Sequence, residues 1–302
     1  MFMTMLSSIL LAMQGAVSQG VLWGIMAIGV YLTFKVLDYA DLTVDGSFAL
    51  GGAVSAVLIV QGMNPFLTLP IATLAGVGAG IVTGFLHTKL NIPPILSGIL
   101  SMLALYSINM RVMGQANTPL LGQDTVVTMI AEILPFSRTT VTLLIGIIFS
   151  VFIIAIIYWF FGTEIGCAIR ATGNNQYMVR ALGGNTDFMK ITGLFLSNGL
   201  VALSGALVAQ SQGYADVGMG TGTIIIGLAS VIIGEVIFGD RFSFAYKLFA
   251  VLCGSVIYRV VIAIVLQLGL KTTDLKLLTA VIVAFALSLP IIKKKAKKLS
   301  YR

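Results

Sequence analysis

The sequence predicts an all-α polytopic membrane protein with about nine transmembrane helices, and three observations carry that prediction. Of 302 residues, 58% are hydrophobic and only 10% are charged, with a mean hydropathy of +1.04; so few polar groups cannot cover a soluble protein of that size. The apolar residues gather in runs long enough to cross a hydrocarbon core of roughly 30 Å, which takes about 20 helical residues. The basic residues, in turn, fall mostly on one side of those runs.

The runs lie near residues 16–34, 46–61, 66–86, 95–113, 140–161, 190–210, 222–238, 245–267 and 274–291. Runs 46–61 and 222–238 are short and glycine-interrupted, so they are expected as broken or re-entrant helices. Residues 1–14, MFMTMLSSILLAMQ, are apolar, but no Lys or Arg precedes Lys35, and a signal peptide needs a basic n-region. An interfacial helix and an extra span are the two readings of that stretch. The whole chain, 1–302, reads as a single transmembrane domain with an outer loop at 114–139, an inner segment at 162–190 and a basic tail at 292–302.

Orientation follows from charge. With a cytoplasmic C-terminus, 13 of the 18 Lys and Arg residues fall inside; Arg111, Arg138, Lys271 and Lys276 fall outside, and Arg259 lies within a span. This is the positive-inside asymmetry, and it survives removal of the tail. The KKKAKK tail suits an anionic inner leaflet and makes membrane lipid an expected partner. Nucleic acid is not expected, because the net charge of +7 sits at membrane edges rather than on one soluble face.

Cys167 and Cys253 are isolated and read as packing residues, and the single His87 cannot build a metal site alone. No metal ligands and no catalytic residues are expected. The chain has no Gly-x-x-x-x-Gly-Lys-Ser/Thr sequence, so it is not expected to bind ATP or any other cofactor itself. An ATP-driven role would need another polypeptide to supply the ATPase.

Gly76, Gly80 and Gly84 recur on one helical face, with smaller glycine patches at Gly46, Gly51, Gly52, Gly199 and Gly205; both patterns let backbones approach closely. Asp38, Asp41 and Asp45 follow at spacings of three and four. On one helix they would share a face and repel, so a bent or unwound connection is expected there, with Asp45 or Ser47 capping the next helix. Polar groups at membrane depth are costly and so informative. Asp41, Asp45, Ser47, Ser101, Asn109, Asn198 and Glu235 are the candidates for a substrate pathway or gate, with Glu235 expected to pair with Arg241 or with a neighbouring subunit. Arg259 needs a carboxylate, a backbone carbonyl or a water-filled cavity. The scarcity of deep carboxylates argues against a proton-coupled carrier. The outer loop, with its turn residues and the apolar MIAEILPF, suggests a folded lid or a docking surface for a soluble partner.

The inner segment GTEIGCAIRATGNNQYMVRALGGNTDFMK contains two helix-forming pieces, EIGCAIRATG and QYMVRALG. They are separated at Asn174 and Asn175 and closed at Gly183 and Gly184. Tyr177, Met178, Ala181 and Leu182 form an apolar edge suited to a groove on another protein.

The pattern G-x-A-I-R-A-x-G-x-N-x-x-x-x-R-A-L-G, followed by ITGLFLSNGLVALSGALVAQ, resembles the cytoplasmic coupling segment of ABC importer permeases of the branched-chain amino acid and ribose permease family. IMAIGVYLTFKVLDYADLTVDGSFALGGAVSA and GTGTIIIGLASVIIGEVIFG resemble its early and late segments in the same order, so the likeness covers about Gly20 to Ile291. LDYADLTVDGSFALG is most similar to permeases of the tryptophan and tyrosine type. The resemblance implies a type II ABC importer fold, a multi-pass protein of the bacterial cell membrane, a second permease copy as a homodimer, a cytoplasmic ATPase dimer using ATP and Mg, and an extracytoplasmic substrate-binding protein. It places the ATPase-coupling contact at Gly166, Arg170, Ala171, Gly173, Asn174, Arg180, Ala181, Leu182 and Gly183. Sugar permeases begin with an additional basic span that this chain lacks, which favours an amino acid, aromatic or branched-chain, over a sugar or nucleoside. A secondary transporter needing no ATPase and a membrane scaffold are the competing classes.

Overall fold

The computed structural model describes residues 2–239 and 243–267 together with positions 277, 279–281, 283, 284 and 288, and it describes side chains from residue 12 onward. The expected ninth span, 274–291, and the basic tail lie for the most part outside the described residues, as does Arg241.

The first helix, α1 (Phe2–Tyr31), passes without a break into a π-helical turn at Leu32–Val36. The stretch 1–14 is therefore neither a separate interfacial helix nor an extra span, because residues 2–14 extend the first one. Three more spans follow: α2 (Thr43–Val60), α3 (Pro65–Thr88) and α4 (Pro94–Met113). Beyond α4 the outer loop folds into a short strand β1 (Asn117–Pro119) and an amphipathic helix α5 (Val126–Ile133). Next come α6 (Arg138–Phe161), two short helices α7 (Glu164–Asn174) and α8 (Gln176–Ala181), and the long α9 (Thr186–Gln212). Strand β2 (Tyr214–Asp216) pairs antiparallel with β1. A 3-10 turn at Val217–Gly220 leads into α10 (Thr223–Phe238), and α11 (Phe244–Gln267) closes the described part. Among the described residues, eight segments are long and apolar enough to cross a membrane, matching the first eight expected runs to within a few residues.

Helices α1, α2 and α9 form the centre. In their most apolar windows 83%, 72% and 72% of residues are buried, against 28% for α4, so α4 lies at the periphery. Glycine makes the close approaches possible. A Cβ on Gly51 would meet the backbone of Ala202, one on Gly205 the carbonyl of Phe48, and one on Gly80 the carbonyl of Leu194. The small-residue faces read from the sequence are thus seams between helices of one subunit. At the outer end Gln210, 2% exposed, donates to Ser55 Oγ (2.9 Å) and Thr68 Oγ1 (3.1 Å) and accepts from the Val126 amide (2.9 Å). That one amide ties α2, α3, α5 and α9 together.

Runs 46–61 and 222–238, expected as broken or re-entrant from their glycines, are instead continuous helices, α2 and α10; the irregular backbone falls in the connections that precede them. After the π-helical turn the chain unwinds through residues 37–42, with Asp38 at φ +53°, and climbs back beside α9 before α2 begins. Helix α10 starts level with the first turn of α2, whose Ser47 bonds to Asn198 near the middle of α9. Its N-terminus therefore lies at mid-depth rather than at the outer surface.

Candidate functional site

A helix that begins at membrane depth presents amide N–H groups with no intrahelical acceptor, and hydrocarbon offers none. Asp45 supplies the acceptor for α10. Its carboxylate accepts from the Gly222 amide (2.8 Å), Thr223 Oγ1 (2.8 Å) and the Ile224 amide (2.9 Å), which also places negative charge at the positive end of the helix dipole. The sequence reading assigned Asp45 or Ser47 to cap the helix they belong to. The structure corrects this: the N-cap of α2 is Leu42, without a side-chain bond, and the Asp45 side chain caps a helix 177 residues away.

Asp41 and Ser47 meet on Asn198. The buried Asp41 carboxylate accepts from the Thr43 amide (2.9 Å) and Asn198 Nδ2 (2.7 Å), while Ser47 Oγ donates to Asn198 Oδ1 (2.6 Å). This hub pins the unwound 37–42 connection to α2 and α9, and Asp41 also lines a small cavity of about 180 Å³. Ser101 and Asn109 sit elsewhere. Ser101 accepts from Thr83 Oγ1 (2.7 Å) between α3 and α4, and Asn109 donates to the Gly46 carbonyl (3.2 Å); both bonds tie α4 inward.

Arg241, the expected partner of Glu235, lies outside the described residues; among those described, Glu235 has another partner. It pairs with Lys35 on the π-helical turn at 2.8 Å, the side chains being 39% and 28% exposed for Lys35 and Glu235. Solvent at such exposure limits the pair to under about 1 kcal/mol, so its role is to fix the inner end of α10 against α1. Lys35→Glu and Glu235→Lys are each expected to impair transport. The double exchange restores it, and a thermal-melt double-mutant cycle should return a coupling energy below about 1 kcal/mol.

The inner segment folds as its punctuation predicts. Thr163 caps α7 by accepting from the Gly166 amide (3.3 Å). Asn175 ends α7 and caps α8, accepting from the Tyr177 and Met178 amides (both 3.1 Å). Gly183, at φ +82°, turns the chain where a side chain would be strained, and Asn185 caps α9 by accepting from the Phe188 amide (3.1 Å). Each short helix thereby satisfies its own first amides, which a free-standing helix of six to eleven residues cannot do without packing support.

The nine expected coupling residues divide into two groups. Gly166 and Gly173 face the body of the protein: a Cβ on Gly166 would strike the backbone of Phe160 and Phe161, and one on Gly173 the Val36 carbonyl and the Leu37 backbone. Ala171 is half-buried on the same helix. Arg170 is exposed but bonded within the chain, donating from Nη to the Phe161 carbonyl (2.7 Å) with its guanidinium 5.6 Å from the Phe244 ring centre. Arg180 is held too, donating from Nε to Thr186 Oγ1 (2.7 Å) and pairing with Asp187 at 3.2 Å. Asn174, Ala181, Leu182 and Gly183 are exposed, together with Tyr177 and Met178. Leu182 and Tyr177 are 79% and 75% exposed, so the tip of α8 carries an apolar edge with nothing among the described residues against it. The arginines hold the hairpin in place, and its apolar edge is left for a partner.

At the opposite end a cavity of about 840 Å³ opens between α1, the 117–128 stretch, the start of α6 and the end of α9. Gln19, Asp124, Glu132, Arg138 and Gln210 are among its lining residues, so it suits a polar solute. The strand pair β1–β2 beside it was not legible in the sequence, since three-residue strands leave no periodicity to detect.

Residues 12–288 match the family model described as branched-chain amino acid transport system / permease component. The chain is 40% identical over 274 residues to the tyrosine transport system permease protein of Clostridioides difficile, covering 90% of each. It is 27% identical over 185 residues to the ribose import permease protein of Escherichia coli, covering 61% of this chain and 56% of that one. In three dimensions it resembles a chain of PsaBC from Streptococcus pneumoniae in complex with Fab, with a TM-score of 0.52, 14% identity and 94% of each chain covered; at that identity the likeness concerns the fold.

Proposed function

This chain belongs to the branched-chain amino acid transport system permease family, and from that premise we propose that it carries an amino acid, aromatic or branched-chain, inward by alternating access. It is the permease subunit of an ATP-binding cassette importer and a multi-pass protein of the bacterial cell membrane, it is not itself an enzyme, and it works with ATPase and substrate-binding partners. In the proposed assembly two copies form a homodimer. A cytoplasmic ATPase dimer uses ATP and Mg, and this chain binds neither. An extracytoplasmic binding protein delivers solute to the outer cavity.

The observation that carries the coupling assignment is the α8 edge, Tyr177, Met178, Ala181 and Leu182, exposed on a hairpin whose two arginines bond within the chain. ATP-driven closure of the ATPase pair pushes on this edge. Gly173 passes the push to the end of α1 through direct backbone contact, and Lys35–Glu235 passes it to α10. At its other end α10 hangs on Asp45, next to the turn that leads to β2 and the outer cavity. The path from engine to cavity is therefore a continuous series of packed elements. The amino-acid substrate is supported by the tyrosine permease relative, matched along nine-tenths of its length, while the ribose permease relative matches a shorter stretch.

The test is uptake into proteoliposomes containing the permease with and without its ATPase and binding protein, using L-tyrosine, L-leucine and D-ribose as probes. ATP-dependent accumulation of an amino acid only in the complete system is the expected result. Accumulation by the permease alone would establish a secondary transporter, and ribose uptake alone would replace the amino-acid reading.

A further inference from the structure

Arg259 takes no part in the coupling hairpin, the Asp41–Asn198 hub or the Lys35–Glu235 pair. It lies well inside α11, its guanidinium stacked over the Trp23 ring with Cζ 3.9 Å from the ring centre. Trp23 is itself buried and packs on the fully buried Phe48, ring centres 4.8 Å apart. Stacking on an indole contributes on the order of 2 kcal/mol when desolvated. Arg259 is half-buried, so the part of its guanidinium that has left water carries a cost that stacking offsets only in part, and a guanidinium cannot shed its charge to escape it.

Two donors are stranded in this pair. Arg259 Nε and Trp23 Nε1 are buried, and neither has an acceptor among the described residues. No described carboxylate pairs with Arg259 either, the ion pairs there being Lys35–Glu235 and Arg180–Asp187. Both groups can only donate, so what the pair lacks among the described residues is an acceptor, and the charge of the guanidinium favours one that is negative.

One helical turn outward on the same face of α1, four residues from Trp23, stands Gln19. Its Nε2 donates to Ser211 Oγ at 2.9 Å, and its Oε1 is buried without a donor. Gln19 lines the 840 Å³ outer cavity. An unfilled acceptor and an unfilled donor thus share one face of α1 a single turn apart, Gln19 and Trp23 being i and i+4 neighbours, and the second unfilled donor, Arg259 Nε, is stacked on Trp23. An α-amino acid supplies both complements from one carbon, a carboxylate to receive and an ammonium to give.

We propose that Arg259 and Trp23 form a carboxylate-binding station beneath the outer cavity, with Gln19 Oε1 receiving the ammonium, so that the permease itself selects α-amino acids over neutral solutes. This rests on the amino-acid reading above and extends it to residues of this chain. A sugar offers no charge to offset the guanidinium. The stacked pair lies beyond the cavity lining, so a carboxylate reaches it as α11 shifts against α1 during the transport cycle.

The test uses the complete importer in proteoliposomes, with the standard amino acids and D-ribose as probes, and reads solute carried per ATP hydrolysed. For Arg259→Gln that ratio is expected to fall about ten-fold or more, the loss of one charge-assisted bond. Arg259→Lys should recover part of it. Trp23→Phe, which keeps a ring and removes the N–H, should lower it several-fold. An unchanged ratio in Arg259→Gln overturns the proposal. So does a shift of that variant from dimer to monomer, which would place Arg259 at a subunit contact. A wild-type importer that carries ribose and no amino acid fails the underlying reading before any variant is made, and the station falls with it.

Discussion

Gly173→Leu is expected to reduce ATP-driven uptake by one to two orders of magnitude while the protein still inserts and keeps the oligomeric state of the wild type. A Cβ at position 173 would overlap the Val36 carbonyl and crowd the Leu37 backbone. Backbone cannot rotate out of the way as a flexible side chain does, so α7 must lift from the end of α1. Overpacking of this kind costs about 1–3 kcal/mol, and each 1.4 kcal/mol is a factor of ten in the population of the seated hairpin. A control separates this from a general intolerance of leucine: Gly78, on α3, has nothing within 4 Å of its would-be Cβ, and Gly78→Leu should transport as the wild type does. The measurement is initial uptake rate in proteoliposomes, alongside thermal stability of the detergent-solubilised permease.

Asp45→Ala acts on the other end of the same path. It removes three bonds to the start of α10 and leaves two amides and a hydroxyl, all in part-buried positions, without that acceptor. Hydrogen bonds to a charged group contribute about 1.5–3 kcal/mol each, and a stranded buried donor costs about 1–3 kcal/mol. Even with incomplete additivity the loss should exceed about 3 kcal/mol. The expected results are a lowered melting temperature, faster hydrogen exchange confined to residues 222–228, and uptake at background. Asp45→Asn retains an acceptor oxygen and should fall between wild type and alanine. If Asp45→Ala melts and transports like the wild type, α10 is held at mid-depth by packing alone.

The spans and the coupling hairpin were legible because their signals are local. A run of apolar residues fixes a transmembrane helix wherever it occurs, and Thr163, Asn175, Gly183 and Asn185 each act on amides within a few residues of themselves. Reading the acidic spacing at 38–45 as an unwound connection was correct for the same reason, since repulsion along a shared helical face needs no tertiary knowledge. What the sequence withheld was the identity of distant partners. Asp45 reaches across to Gly222, and Lys35 reaches Glu235, partners that spacing along the chain does not reveal. The arginines of the hairpin show a further limit. A conserved-looking pattern such as I-R-A-x-G marks a segment as special without saying which side chains face inward. Only the geometry shows Arg170 and Arg180 bonded within the chain and Leu182 exposed.

That division has a practical consequence. Reversing the charge of Arg180 breaks its bonds to Thr186 and Asp187, so a lost ATPase contact would be confounded with a loosened α8–α9 junction. The exposed apolar edge gives a cleaner probe. The central claim is that this edge is where the ATPase docks, and co-purification of the ATPase with the Tyr177→Asp, Leu182→Asp double variant tests it most directly. The account predicts that the variant remains folded and dimeric but retains little or no ATPase, while wild type carries a stoichiometric pair. Retention of the ATPase at the wild-type level would contradict it.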